Sequence, residues 1–444
     1  MSAPKINMQK NEKQKYKVVF VVRKINDIDH MLPLIWKMKK TNNNVKVVTF
    51  GLHKVDNYLT NYMFSELGLS VETPILNNLN KIFRLLILAF DRISNFAQNN
   101  NWHLFVKYVE YIANYLNKRI ITHEGLKENV YDIIFGRDNI GAIVVDKTDI
   151  LKNKIYKNVA KQAVVNNIPI VRLQHGIDMR IINTNTIDGS NILVHDYGDN
   201  VFDIYYSMIE VYQESLDCYI ECCGKKINKN EIKTSILGNM RFSREWVKKY
   251  KEIQKFDRIP YPKVDLKKNT ILVLMSATHH IYTDKIADLL NAISDRFDIN
   301  IIYKPHTRHG EVSNKIKKLL NKKVEIIYSY KCTTALIDVS DVVLLCGITS
   351  VGIHSIVDLK PIIFAEYTSK YQSYYSKYMN THTFMSKDKV LNNIEIILNN
   401  KTDYAKNTTA IESIKEIINP NNSNNIIQEY YDLVSSIIDD SSVK

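Results

Sequence analysis

The sequence predicts an α/β protein built from two doubly wound, Rossmann-like domains facing a cleft. Three observations carry that expectation. The chain has 444 residues, more than one hydrophobic core usually organises. Apolar strand-like runs alternate with segments of helical periodicity, the pattern of parallel sheets flanked by helices. That alternation starts afresh near residue 270, after a charged stretch carrying Pro260 and Pro262.

Residues 1–15 are polar and lysine-rich without an apolar h-region, so they read as a disordered leader and not as a signal peptide. A first strand is expected at 16–22, followed by the loop Arg23 to Asp29, a helix at 30–40 and a second strand at 45–50. From 80 to 118 the pattern is helical, with aromatic residues such as Phe83, Phe90 and Tyr108 recurring as a packing stripe. Strands at 142–145, 168–173, 192–194, 218–221 and 235–237 complete a first domain over 16–247. Residues 248–268 lose periodicity and are assigned as a linker.

The second domain, 269–418, is expected to carry strands at 271–275, 299–303, 324–327, 342–345 and 361–364, with helices at 284–296, 313–320 and 351–359. The tail, 419–444, is an asparagine-rich spacer followed by an amphipathic segment from 426 to 438, read as a helix crossing back onto the first domain.

Composition narrows the function classes. No apolar run approaches the roughly 18 residues that span a bilayer, so a cytoplasmic protein is expected. Its basic surface leaves room for peripheral association at the inner face of the plasma membrane. The five cysteines (Cys218, Cys222, Cys223, Cys332, Cys346) are an odd number scattered along a large chain, and reduced thiols are expected. A net charge of +13 favours anionic partners. The lysines are dispersed and no RNA-binding motif is present, so nucleic acid is not expected among them. GxGxxG after a first strand, GxxxxGK[ST], paired CxxC, HExxH and EF-hand spacings are all missing, and no cofactor or metal is expected.

Four loci at strand ends carry chemistry. The first is Gln174-His175-Gly176, where an imidazole leaves a strand beside a glycine and can deprotonate a hydroxyl, or else cap the following turn. The second is Lys304-Pro305-His306-Thr307-Arg308, a dense set of donors suited to phosphate oxygens. The third is Gly347-Ile348-Thr349-Ser350, where hydroxyls and free N–H groups meet at the start of a helix, to hold an anion, to cap the helix, or both. The fourth holds Asp27 and Asp29 after the first strand. A carboxylate there orients His175, serves as the base, or caps the helix through Asp29.

Together these loci resemble the bacterial GT-B enzymes of surface-polymer synthesis. The likeness is to the CDP-glycerol glycerophosphotransferases and, more loosely, to sialyl- and Kdo-transferases. Gly238-Asn239-Met240-Arg241-Phe242 is similar to the Gly-x-x-Arg-Phe segment before the interdomain linker of such enzymes. The resemblance implies His175 as general base and donor contacts from Lys304, His306, Arg308, Gly347, Thr349 and Ser350. It implies acceptor contacts from Gln174, Gly176 and Arg241. The donor would be CMP-, CDP- or UDP-linked, and the acceptor an oligosaccharide or lipid-linked chain. The sequence departs from that family in three places. Gln174 replaces an aromatic, His306 follows its proline, and no Asp-Tyr precedes Thr349. A nucleotide-sugar 2-epimerase on the same architecture and a basic adaptor are the alternatives.

Overall fold

The computed structural model describes residues 17–22, 25–41, 44–50, 58–73, 140–146, 168–173, 208–211, 233–256, 259–276, 280–304, 314–322, 324–329, 331–373, 375–376, 379–400, 418–419 and 423–442, with isolated positions between them. The leader, nearly all of the 80–118 stripe, and the strands expected at 192–194 and 218–221 lie outside this set.

In the first domain β1 (Lys17–Val22), α1 (Ile25–Lys40), β2 (Asn44–Thr49), α2 (Tyr58–Glu66), β3 (Val71–Glu72), β4 (Ile140–Asp146), β5 (Ile170–Leu173), β6 (Met208–Val211) and β7 (Lys233–Ile236) follow one another. They form a seven-stranded sheet in the order β3-β2-β1-β4-β5-β6-β7. β1 to β5 are parallel, and β1 and β4 read as nearly unbroken apolar runs whose side chains on both faces are buried. The sheet is not parallel throughout, since β6 and β7 join it antiparallel.

The second sheet is parallel from edge to edge, in the order β10-β9-β8-β11-β12-β13. Its strands are β8 (Asn269–Met275), β9 (Ile299–Lys304), β10 (Ile326–Tyr328), β11 (Val342–Cys346), β12 (Ile362–Ala365) and β13 (Thr383–Phe384). In both sheets the first strand sits centrally and the order reverses beside it, between β1 and β4 and between β8 and β11. Those are topological switch points, where open α/β sheets bind ligands beyond the strands' carboxyl ends.

Helix α3 (Arg244–Gln254) corrects the linker expectation, since residues 248–254 are helical. Charge-dense composition hid the helix's apolar face, on which Trp246, Val247 and Ile253 are buried. The remaining helices among the described residues are α4 (Thr283–Arg296), α5 (Asn314–Leu319), α6 (Thr333–Val339), α7 (Gly352–Val357), α8 (Lys387–Asn399) and α9 (Ile426–Ser442). α2, α6 and α8 were not expected, and α7 ends two residues before the anticipated Leu359. α9 does return to the first domain. Its Ile427, Tyr430 and Val434 are buried in one cluster with Val18, Phe20 and Leu34.

The junction between domains is a 3-10 turn, Met240–Phe242, held by local polar contacts. Asn239 Oδ1 accepts from Arg241 N at 3.1 Å. Ser243 Oγ donates to Met240 O at 2.9 Å and caps α3 by accepting from Trp246 N at 3.2 Å. Gly238 lets the returning chain pass close by, since a Cβ there would lie 2.6 Å from Ile426 Cδ1 and 2.9 Å from Ile418 O. Met240 is buried in the first-domain core and Phe242, two residues on, in the second.

α3 then wedges between the domains. Lys249 pairs with Glu66 of α2 at 2.9 Å, while Lys251 pairs with Asp338 of α6 at 3.0 Å and Asp358 at 2.9 Å. Trp246 is the apolar anchor, 1% exposed and edge-on to Trp36 with ring centroids 6.0 Å apart. Trp246→Ala is therefore expected to cost about 3–5 kcal/mol, the range for deleting a buried aromatic. Urea denaturation followed by intrinsic fluorescence and far-UV dichroism checks this, and a loss below about 1 kcal/mol would show that α3 does not anchor the junction.

Candidate functional site

The described site lies at the carboxyl edge of the second sheet, over the β8/β11 switch point. β11 ends at buried Cys346, whose carbonyl accepts from Ser276 N at 3.0 Å and so ties the exits of β8 and β11 together. Gly347 has φ +80°, and a Cβ there would meet Ile281 Cγ2 at 2.3 Å and Ser276 Cβ at 2.8 Å. A glycine is needed for the strand to leave beneath Ser276 and Ile281.

Thr349 and Ser350 follow, both half-buried. The Thr349 carbonyl accepts from Tyr375 Oη at 2.8 Å, and its hydroxyl receives Val351 N at 3.4 Å. Neither side chain caps α7. Val351 occupies the cap position without a side-chain hydrogen bond, because the chain enters the helical region one residue later than expected. The capping expectation is thus corrected, and the Ser350 hydroxyl has no partner among the described residues.

Around this edge stand residues that the sequence reading did not single out. Ser276 Oγ lies 3.5 Å from His280 Nδ1, and the His280 ring meets Tyr371 edge-on at 5.2 Å. Glu366, just after β12, is fully buried; its Oε1 accepts from Ser373 N at 2.7 Å and its Oε2 from Ser373 Oγ at 2.8 Å. Burial pushes its carboxyl up to about 7, against the two Ser373 bonds. A glutamate directly after an apolar strand was the available signal. Burial likewise raises the Cys346 thiol to about 12, which makes it an inert filler and no nucleophile.

The first-domain switch point contributes Asp29. The sequence reading ends its loop at Asp29, whereas α1 starts at Ile25, so Asp29 stands inside the helix and is not its N-cap. Its Oδ2 pairs with Arg241 Nη2 at 3.0 Å. Asp27 lies in the first turn of α1. From the other side, α7 sends His354 against Phe242, with ring centroids 4.8 Å apart. His354 Nδ1 is buried without a hydrogen-bond partner among the described residues. Burial first, then the charges of Arg241 and Lys251, hold this imidazole well below its usual pKa, so it is neutral. Elements from both switch points therefore converge on one turn.

The structure describes Lys304 at the end of β9, half-buried, but Gln174, His175, Gly176, His306 and Arg308 lie outside the described residues. Among the described residues no cluster of His, Cys, Asp and Glu could hold a metal ion, and no helix is long and apolar enough to cross a membrane.

No protein-family model matches this sequence, and no curated protein matches it significantly. Solved structures do. The UDP-GlcNAc 2-epimerase from Neisseria meningitidis bound to UDP-GlcNAc is similar with TM-score 0.50 and 13% identity, over 95% of this chain and 100% of that one. A putative UDP-N-acetylglucosamine 2-epimerase from Listeria monocytogenes gives TM-score 0.51 and 9% identity, over 96% and 97%. A glycosyltransferase from Rickettsia africae gives 0.46 and 13%, over 96% and 99%. The first two likenesses concern the fold. Two doubly wound domains joined by a central turn, with a C-terminal helix returning to the first, have the GT-B architecture.

Glu366 gives the site a measurable pH signature. Its folded-state pKa of about 7 lies above the ordinary 4.5, so between those values the folded state holds the proton more tightly. Stability from this group is present below about pH 4.5 and lost as pH rises to about 7, by roughly 3 kcal/mol. Glu366→Gln should remove that fall. Melting curves of both proteins from pH 5 to pH 8 test it, and parallel profiles would assign the pH dependence elsewhere.

Proposed function

We propose that this chain is a glycosyltransferase that moves a sugar, or a polyol phosphate, from a nucleotide-activated donor to a surface-polysaccharide or lipid-linked acceptor. The observation that carries the reading is the β8/β11 switch point, where a left-handed glycine turn leads from β11 beneath Ser276 and Ile281 to Ser350, whose hydroxyl has no partner among the described residues. In this reading Gly347 sets the turn that brings Thr349 and Ser350 to the donor diphosphate, and their hydroxyls hydrogen-bond its oxygens. Lys304, His306 and Arg308 supply the positive charge that stabilises the leaving nucleotide.

The acceptor is assigned to the first domain, contacted by Gln174, Gly176 and Arg241. His175 comes two residues after β5 in the chain and is assigned the role of general base. It takes the proton of an acceptor hydroxyl while that oxygen bonds to the donor carbon or phosphorus. The bond to the leaving nucleotide breaks, and its electron pair goes to the phosphate. Asp29, paired to Arg241 at 3.0 Å, is better suited to orient groups than to act as a free base, and Asp27 shares its turn. The setting is the cytoplasm, at the inner face of the membrane where lipid-linked acceptors lie.

A second reading, nucleotide-sugar 2-epimerase, is prompted by the Neisseria structure of this fold bound to UDP-GlcNAc. The two part on one assay. An epimerase interconverts two free nucleotide sugars, whereas a transferase releases nucleotide when an acceptor or water takes the sugar. Thermal shift with CMP, CDP, UDP, GDP and their conjugates selects the donor, a ligand at 100 times its dissociation constant adding about 2.7 kcal/mol. A flat response across the panel would sink both readings.

Ser350→Ala should weaken the selected donor by about 1.5–3 kcal/mol at unchanged melting point, with His306→Ala acting in the same direction. Unchanged affinity in calorimetry would remove Ser350 from the donor site. His175→Ala should lower turnover by about 10²–10⁴ while donor affinity survives. Normal turnover there, with collapse in Asp29→Asn, would move the base role to Asp29.

A further inference from the structure

A groove of about 980 Å³ runs along the outer face of α3, against the C-terminal end of α7 and residues 418–419 and 423–426. It is not part of the donor edge. Thr349 and Ser350 precede the N-terminus of α7, whereas Asp358 and Leu359, which line the groove, follow its other end about 9 Å away.

Arg244, Lys248, Lys251 and Lys255 all line the groove, and their spacing of four, three and four residues places them on one helical face about 16 Å long. Lys251 is neutralised by Asp338 and Asp358. Arg244, Lys248 and Lys255 are exposed and make no ion pair with any described residue. Glu245 and Glu252 also border the groove, and Glu252 lies 3.9 Å from Lys249.

The facing wall has a different character. The amide of exposed Asn424 has no described partner, and Asp358 keeps Oδ2 buried without one. Leu359 is 55% exposed and adopts φ +55°, a left-handed conformation that is strained for any residue carrying a side chain.

We propose that this groove binds an anionic glycan, with Arg244, Lys248 and Lys255 pairing its charges. The wall amide hydrogen-bonds hydroxyls, and Leu359 covers the apolar face of a sugar ring. A single-stranded nucleic acid would need aromatic platforms for its bases. Phe242 is the one aromatic residue on the described wall, and its ring already packs on the edge of His354. The assignment rests on the transferase reading in one respect, that the glycan is the acceptor or product chain held away from the donor edge.

The test uses the full chain and labelled polygalacturonate oligosaccharides, with neutral dextran and an oligothymidylate as comparisons, at about 0.1 M salt. The triple variant Arg244→Glu/Lys248→Glu/Lys255→Glu should bind polygalacturonate at least about tenfold more weakly. Lys315→Glu/Lys318→Glu/Lys322→Glu changes the net charge equally on and beside α5 and should cost less than about twofold; dextran should not bind. Equal loss in both triple variants, no loss in the groove variant, or groove-dependent oligothymidylate binding tighter than polygalacturonate would overturn the proposal. The nucleotide panel run on the groove variant separates the two readings. Retained donor shifts with lost glycan binding support the groove, whereas a flat panel on the wild-type chain with intact groove-dependent glycan binding refutes the transferase and leaves the glycan site standing.

Discussion

The insertion of Met240 and Phe242 into two different cores is the constraint on which the rest of the structure depends. Three consecutive residues in a tight turn cannot move their side chains independently, so the two domains are pinned within one turn of each other. The surrounding contacts exist to make that turn the same every time. Asn239 closes it from within, Ser243 joins it to α3, and Asn239 N donates to Ile418 O where the chain comes back. A side chain at position 238 would push that returning backbone away, and α9 would lose its seat in the first core.

The electrostatics of the junction follow from this pinning. Arg241 lies between the buried residues of the turn and is drawn to Asp29 on α1, while its charge is felt by His354 on α7. A protonated imidazole there would be desolvated and would face two cations, so the neutral form is the one the fold can hold. Lys251 is matched in the same way by two aspartates of the second domain. Arg241 and Lys251 thus each have their counter-ions on one domain, and these pairs define which surfaces meet.

How much of this was legible in the sequence depended on the size of the signal. Central strands announced themselves, because a strand covered on both faces must be a continuous apolar run, as β1, β8 and β11 are. α3 was missed because its lysines and glutamates outnumber the residues that bury it, and three apolar positions suffice when one is Trp246. Asp29 was assigned to a loop because the start of α1 is polar. Gly347 was legible because a glycine after an apolar strand has few other reasons to be there. His354 was not, since its burial is decided by Phe242, far earlier in the chain, and Glu366 offered only its place directly after an apolar strand.

α3 gathers these threads on one short helix. One face, through Trp246 and Ile253, belongs to the first core; a second, through Lys251 and Gln254, is bound to α6 of the second domain; a third carries the exposed cations of the groove. An eleven-residue helix is stiff over its own length. Any displacement of one face is a displacement of the others, and a rotation of the domains about the Met240–Phe242 turn must carry the groove cations with it. The basic face of α3 is therefore fixed to the junction itself, and its position reports how the two domains stand to one another.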